Sequence, residues 1–453
     1  MSRAPALVLV ASLSVSCGGA ADRAARAGDL PTLRAAIATR HAEGSISNHD
    51  AREIGTLLLQ HDLEAAHPVD ARALLGDAAA CAVDIDDALA VRARKNDELA
   101  PVAAMMRIES GKLDLSTAHR FKDDYLKSDD ERWRALGART LVDASDAEAR
   151  RHAMVDVSPF VRRAAFRASR EAHDTGDEAV LLESARLDPE PMARTEALRA
   201  LVELGVRPQD ATRPTSLVKS VSKLLGDLYI SGDDGIREDV ASAWARTPFY
   251  EHGGRAALRT MFATNHGPGV IAGAGALLRH HASEDDEDSD SRDALEEKLA
   301  RTEAENVLLK TLEVGSERDK LHALATAPGD VGARLAKKAE SDTSFMVRVA
   351  AFSRGMTDGT RTKEVEARLI EIARDPDRPV VADRAKLALA QAKVISIQSW
   401  LEADLAAPSP ERRISAAQSL AVLGRAARAA PLFTDADAHV RHRVACIVVR
   451  GDI

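Results

Sequence analysis

The sequence predicts an all-α protein built as an α-solenoid of stacked antiparallel helix pairs. With 453 residues, the chain is longer than one hydrophobic core usually grows. Aromatic residues make up only 3% of it and apolar residues 45%, which favours helices packed through small side chains over a β-sandwich or barrel. In addition, one turn-and-helix unit recurs along most of the chain. Recurrence at a spacing of about thirty residues is typical of a repeat array.

The first seventeen residues, MSRAPALVLVASLSVSC, contain one basic residue, an apolar stretch and small residues before a cysteine. This is the layout of a secretory signal, and it is too short to span a bilayer. Its end resembles the lipobox of bacterial lipoproteins, although Ser14 stands where Leu is usual. The resemblance implies a signal peptide at 1–16, lipidation of Cys17, a lipidated tether at 17–30, and attachment to the bacterial cell envelope on the periplasmic side or cell surface. The alternative is an apolar N-terminus on a cytosolic protein.

Two further cysteines, Cys81 and Cys446, lie 365 positions apart. In a linear array that separation places them far from each other, so the sequence predicts no disulfide between them. We expect both to be small buried hydrophobic residues. No cysteine spacing of the metal-binding type occurs.

The recurring unit is an Asp, a turn, an apolar residue followed by Arg, and then small residues. In the clearest copies the Arg follows the Asp by six positions, and we call this Arg, or the residue equivalent to it, the anchor. The clear copies pair Asp156 with Arg162, Asp188 with Arg194, Asp342 with Arg348, and Asp435 with Arg441. Weaker copies have their anchors at Arg134, Arg237, Ala272, Lys320, Ala382 and Arg413.

Local signals define a helix at each anchor. Proline stands three places before four anchors, where it suits the first helical turn, and Ser158 and Ser409 are candidate N-caps. Apolar or small residues then recur at helical spacing, as in Ala193, Ala197, Leu198 and Leu201. Partner helices are predicted between the anchors, for example at 178–187 and 363–374. Neighbouring pairs must stack to bury these stripes.

This unit resembles the HEAT repeat, in particular the short variety shared with phycobilisome-lyase-like proteins. The resemblance extends over roughly 116–453 and gives a repeat array at 113–453. It implies structural roles for the Asp and Arg of each turn, which would bind neighbouring repeats: Asp156, Arg162, Asp188, Arg194, Asp342, Arg348, Asp435 and Arg441. Residues 31–112 carry helical patterns without a clear copy, so we expect irregular N-terminal repeats or a cap.

An acidic loop at 282–293 interrupts the array. Asp286, Asp288 and Asp290, with Glu297 at the twelfth position, follow the spacing of a calcium loop, but Ser291 replaces the turn glycine. We expect a solvated loop, with calcium binding as the alternative. We interpret the nearby histidines as surface residues: His252, His266, His280 and His281.

The net charge of −9 opposes nucleic-acid binding, which needs a basic face. The chain has no His-Glu dipeptide, which deoxyhypusine hydroxylases with HEAT-like folds carry to bind iron. A DNA glycosylase of this fold would need a basic concave face, and the export signal and few aromatic residues oppose a bilin lyase. No GxSxG, HExxH or phosphate-loop motif occurs.

We therefore expect a non-enzymatic scaffold or adaptor, tethered to the envelope, whose partner is another protein or peptide. No catalytic, cofactor-binding or metal-binding residue is predicted. The alternatives are an enzyme or small-ligand-binding HEAT-like protein of unidentified chemistry, and a purely structural envelope component.

Overall fold

The computed structural model describes residues 19–65, 67–95, 97–206, 215–264, 268–280, 292–357 and 363–451. Over these ranges the protein is all-α, with short 3₁₀ segments and no strand. This confirms the predicted fold class at the level of its secondary structure. Among the described residues, no helix is both long and apolar enough to cross a bilayer.

The N-terminal part is helical from Ala20 onward, and the segment assigned to a tether includes a packed helix. Ala21, Ala24 and Ala25 of that helix are buried. The helices of this part are α1 (Ala20–Ala27), α2 (Leu30–Ala42), α3 (Asn48–Ala65), α4 (Pro68–Ala78), α5 (Asp86–Ala93), α6 (Ala100–Glu109), α7 (Leu115–His119) and α8 (Lys122–Leu126).

From residue 131 onward, each of the ten anchors lies on a helix. The helices are α9 (Glu131–Arg139), α10 (Ala147–Ala153), α11 (Pro159–Ala172), α12 (Glu178–Leu187), α13 (Pro191–Val206), α14 (Thr215–Ser231), α15 (Asp234–Trp244), α16 (Arg255–Thr264), α17 (Pro268–His280), α18 (Arg292–Val314), α19 (Glu317–Thr326), α20 (Gly329–Ala339), α21 (Phe345–Thr357), α22 (Lys363–Ala373), α23 (Pro379–Gln391), α24 (Gln398–Asp404), α25 (Pro410–Val422) and α26 (Ala438–Arg450). The anchor helices are α9, α11, α13, α15, α17, α19, α21, α23, α25 and α26.

The helix starts predicted from Ser and Pro residues are observed in the structure. Ser158 accepts a hydrogen bond from the Phe160 N–H, and Ser409 accepts one from the Arg412 N–H, as N-caps do. Proline opens α11, α13, α23 and α25, where its missing N–H has no helical partner to lose. The stripe predicted for α13 is fully buried. The predicted partner helix at 178–187 has the same bounds as α12, and the one at 363–374 ends one residue early.

Successive anchor helices from α9 to α26 are in contact at every step. The series continues beyond the last of them, because α26 packs on α3, α3 on α5, α5 on α6 and α6 on α9. The contacts therefore form an unbroken cycle in which the last described helix, α26, packs on α3 and α4 near the start of the chain. Their shared core joins residues 21–103 to residues 417–449.

We call this junction the closure seam: α1 to α4 with the 3₁₀ turn Ala79–Cys81 on one side, and the 3₁₀ segment Ala426–Thr434 with α26 on the other. Gly55 lets α3 approach closely, since a Cβ there would lie 3.3 Å from Phe433 and from Val449. The two ends thus cover the apolar surface that a separate cap would otherwise have to cover.

The seam also corrects the prediction for the cysteines. Cys81 and Cys446 form a disulfide, with their Cα atoms 5.4 Å apart, and both are buried. The prediction failed because it took distance along the chain for distance in space. Because the last helices pack on the first ones, residues near the two ends of the chain lie close together in space.

Polar contacts reinforce the seam. The Asn48 side chain donates to the Gly424 carbonyl at 3.0 Å and accepts from the Ala427 N–H at 2.9 Å. His442 Nε2 lies 3.0 Å from Asp62, and His439 Nδ1 lies 2.8 Å from Asp77. Within the described ranges, none of these contacts recurs with the regularity of the Asp and Arg turns.

Candidate functional site

The Asp of each clear repeat shapes its own turn. Its carboxylate accepts the N–H of the residue two positions later, at 2.7 Å in the Asp156 turn and 2.9 Å in the Asp188 turn. Asp342 and Asp435 make the same contact, at 2.8 and 2.9 Å. A short carboxylate that accepts from its own backbone in this way stabilises a turn. The periodic Asp is therefore explained by local structure.

The anchor Arg joins two turns. Arg162 donates to the Asp156 carbonyl of its own turn at 2.8 Å, and it forms a two-pronged ion pair with Asp188 of the next turn at 2.7 Å for both bonds. Arg194 and Arg441 make the same bond to their own Asp carbonyls, each at 2.8 Å. We call the ion pairs from an anchor to the Asp of the next turn the turn ladder.

The turn ladder extends to the weaker copies of the repeat. Arg134 bonds Asp156 at 3.1 and 3.2 Å, and Arg413 bonds Asp435 at 3.0 Å. Lys320, the least regular anchor in sequence, bonds Asp342 at 2.7 Å. These contacts occupy the charged groups that would otherwise be candidates for chemistry.

Two clear anchors depart from this pattern. Arg194 reaches the exposed carboxylate of Asp233 only at 3.9 Å. Arg348 has no ion pair within hydrogen-bonding distance among the described residues, and its guanidinium instead lies 3.9 Å from the centre of the Phe345 ring. The eight predicted residues thus share one type of turn, but Arg348 stands outside the ladder.

Electrostatics favour the ionised form of two ladder carboxylates, Asp156 and Asp342. Burial acts to raise the pKa of Asp156, but hydrogen bonds from Arg134 and the Ser158 N–H outweigh it and lower that pKa. In Asp342, burial is likewise outweighed by hydrogen bonds from Lys320 and the Ser344 N–H, so its pKa is also lowered. Neither carboxylate is suited to act as a general base near neutral pH.

One group of side chains has the composition of a metal site: His119, Asp143 and Asp146. The Lys122 ammonium, however, donates directly to Asp146, and His119 Nε2 lies 2.6 Å from the same buried carboxylate. Together these two contacts outweigh the effect of burial and lower the pKa of Asp146. Lys122 already supplies the positive charge that a metal ion would bring, so the group is best described as an ion-pair network around the buried carboxylate of Asp146.

Several predicted features lie outside the described residues: Cys17, the acidic residues Asp286, Asp288 and Asp290, and the histidines His266 and His281. Glu297, the twelfth position of the calcium-loop pattern, is described. It accepts a hydrogen bond from the Tyr250 hydroxyl at 2.6 Å, and burial followed by this bond raises the pKa of Tyr250. His252 and His280 are exposed, as expected of surface histidines.

A groove of about 670 Å³ runs across three successive anchor helices, α19, α21 and α23. Its apolar lining includes Leu321, Met346 and Leu387. The charged groups in the lining are Arg354 and Arg384, accompanied by His322, and the lining contains no carboxylate. The described lining thus carries two arginines, whereas the chain as a whole has a net charge of −9. We call it the anchor groove.

Sequence reasoning did not find the anchor groove or the closure seam. The groove residues are ordinary members of amphipathic helices, and only the stacking of three helices brings Arg354 and Arg384 to one surface. No family model matches the chain, and no curated protein matches it.

Proposed function

We propose that the protein is an α-solenoid of HEAT-like repeats, closed end to end, which is tethered to the bacterial envelope as a lipoprotein and binds a protein or peptide partner. The partner is recognised in the anchor groove through a segment that combines acidic and apolar residues. No catalytic step is assigned to it. Its long surface of stacked helices is suited to holding an extended partner.

Two independent observations support an exported location. The N-terminus has the layout of a signal peptide that ends at Cys17. The buried Cys81–Cys446 disulfide belongs to a chain that folds in an oxidising compartment, because thiols in the cytosol are kept reduced. The second argument does not depend on the lipobox, and the bacterial periplasm and cell surface both satisfy it.

The observation that carries the binding proposal is the anchor groove. Ligand grooves usually combine an apolar lining with a few polar groups that fix orientation. Here Met346, Val349 and Leu387 supply apolar surface, and Arg384 lies exposed at the rim. Because the groove crosses three helices, it can hold several consecutive residues of a partner at once.

The test is to isolate the tagged protein from detergent-solubilised membranes after mild crosslinking, and to identify the molecules that co-purify by mass spectrometry. We expect one stoichiometric partner. Replacing Arg384 with Glu should lower its recovery about tenfold, because the substitution puts a negative charge beside the partner's acidic segment. The Cys17→Ala protein should fold and be released from the membrane.

The matched control is Lys363→Glu, the same charge reversal on an exposed residue of α22 outside the groove. It should leave recovery of the partner unchanged. Equal loss of the partner in both variants would refute the groove as the binding surface. A protein recovered alone, or found in the soluble cytosol, would refute the scaffold proposal.

A further inference from the structure

The turn between α22 and α23 lacks the ladder contact that the preceding turn, at Asp342, has. Asp375 stands seven positions before the anchor Ala382, one more than Asp188 before Arg194, but it accepts the Asp377 N–H at 2.9 Å in the same way. Its carboxylate is bonded by Arg378 of its own turn rather than by the preceding anchor, Arg348. This turn therefore has a local ion pair and no ladder pair.

Arg348 instead contacts an aromatic ring, that of Phe345. Its guanidinium and that of Arg378 each lie 3.9 Å from the centre of the Phe345 ring. The attraction of a cation for an aromatic face holds both groups beside a cleft of about 500 Å³. Phe345, Phe352 and Ile372 form the apolar part of its lining. We call it the Arg348 cleft.

The other charges around this cleft already have opposite partners. Arg378 is paired with Asp375, and Arg368 lies 3.3 Å from Glu371. Glu340 is paired with Lys337 at 2.8 Å.

The remaining carboxylate near Arg348 is Asp342. The charge of Arg348 contributes to lowering the pKa of Asp342, but the direct ion pair of Asp342 is with Lys320, at 2.7 Å. Arg348 is thus the one charge in the cleft lining without a directly bonded counter-ion among the described residues. Three arginines and three carboxylates line the cleft, and Glu340 is paired with Lys337 outside the lining. With Lys337 included, four cations lie near three carboxylates, and the unmatched cation is Arg348.

We propose that the Arg348 cleft binds the carboxylate of an Asp or Glu side chain of the partner, with an adjacent apolar residue against Phe352 and Ile372. The partner would then supply the carboxylate that the ladder supplies to Arg162. A phosphate group fits less well, because Glu340, Glu371 and Asp375 also line the cleft and would repel a second negative charge. The inference rests on the proposed function, and it names the chemistry that the partner presents.

The position of α21 supports this assignment. Phe345, Arg348 and Phe352 line the cleft from one side of that helix, whereas Met346, Val349 and Ser353 line the anchor groove from the other. The groove and the cleft therefore lie along adjoining faces of one helix. Both surfaces select the same kind of ligand, an acidic and apolar peptide.

The experiment uses a displayed library of random twelve-residue peptides selected on the full-length protein. The affinities of the enriched peptides are then measured for wild type, Arg348→Met and Arg368→Met. Met retains much of the side-chain length while removing the charge. We expect enriched peptides to carry Asp or Glu next to an apolar residue, and to bind Arg348→Met about ten times more weakly. Arg368→Met, in the same cleft but paired with Glu371, should change binding less than about twofold.

Thermal unfolding of each variant, followed by circular dichroism, verifies that it is folded. Enriched peptides without acidic residues, or peptides that bind Arg348→Met as tightly as wild type, would overturn the cleft assignment. If such peptides still lose affinity with Arg384→Glu, the anchor groove stands and only the cleft inference fails. If neither variant affects binding, both proposals fail.

Discussion

The turn ladder and the closure seam both join neighbouring helices, but they do so with different chemistry. In the ladder, one type of ion pair recurs from turn to turn, as in Arg134 with Asp156 and Arg162 with Asp188. In the seam, a disulfide, an asparagine bridge and two His–Asp pairs each occur at one point. Contacts within an array can repeat because each step has the same geometry. The contact between the two ends of the array occurs once, so the residues that form it follow no repeated pattern.

This difference predicts which substitutions lower the stability of the protein most. A ladder pair connects two turns whose helices also share a continuous core, so its loss is confined to one step. The disulfide connects the two ends of the whole series. Its loss removes the covalent bond that closes a loop of 365 residues. The substitutions below are ordered by the size of the effect that this comparison predicts.

The largest effect is expected from removing the disulfide. Replacing Cys81 and Cys446 together with Ala should lower the free energy of unfolding by about 3 to 5 kcal/mol, because the open chain gains the conformational freedom that the long closed loop denies it. Chemical denaturation of wild type and variant, each with and without a reductant, measures this. Reductant should destabilise the wild type and leave the variant unaffected. An equal response of both proteins would contradict the prediction.

The next effect is expected within the ladder. Arg162→Met should cost about 3 kcal/mol, since it leaves the buried carboxylate of Asp188 without its charged partner. Arg194→Met is the matched substitution at the next anchor, where the carboxylate of Asp233 is 57% exposed and 3.9 Å away. It should cost less than about 1 kcal/mol. Urea unfolding of the two variants compares them, and similar losses would show that the ladder pair itself contributes little.

A smaller effect is expected from pH. The folded-state pKa of Asp156 is lowered, so the stability from its ion pair is fully present above its unfolded pKa of about 4 and is lost as the pH falls through the folded value. Asp156→Asn should therefore be less stable than wild type at pH 6, and the difference should shrink below pH 4. Unfolding midpoints measured between pH 6 and pH 2 test this. A difference that stays constant across that range would refute the assigned role of ionisation.

The smallest effect is expected at a surface pair. Arg186 and Asp227 lie 3.5 Å apart and are each 53% exposed, so solvent screens their attraction. Asp227→Ala should change the free energy of unfolding by less than about 0.5 kcal/mol, measured under the same conditions as Arg162→Met. A loss comparable to that of Arg162→Met would mean that burial does not determine how much these pairs contribute.

The sequence predicts the repeating part of the molecule well because its signals are local. Pro159 and Ser158 define a helix start, and Asp156 and Arg162 define a turn, from residues only a few positions apart. The partner of Cys81 could not be predicted in this way, because nothing near either cysteine encodes the return of α26 to α3. The Arg348 cleft likewise depends on a non-local contact, because Arg378 meets the ring of Phe345 from a different helix pair.

The closure of the chain is tested most directly by mapping its cysteines. The protein is taken from membranes with free thiols blocked and is digested with trypsin without reduction. Closure predicts that the peptide of residues 73–92, which contains Cys81, is joined to that of residues 444–450, which contains Cys446, and that reduction separates them. Recovery of both peptides as blocked free thiols from folded protein would contradict the closed arrangement and remove its support for an exported location.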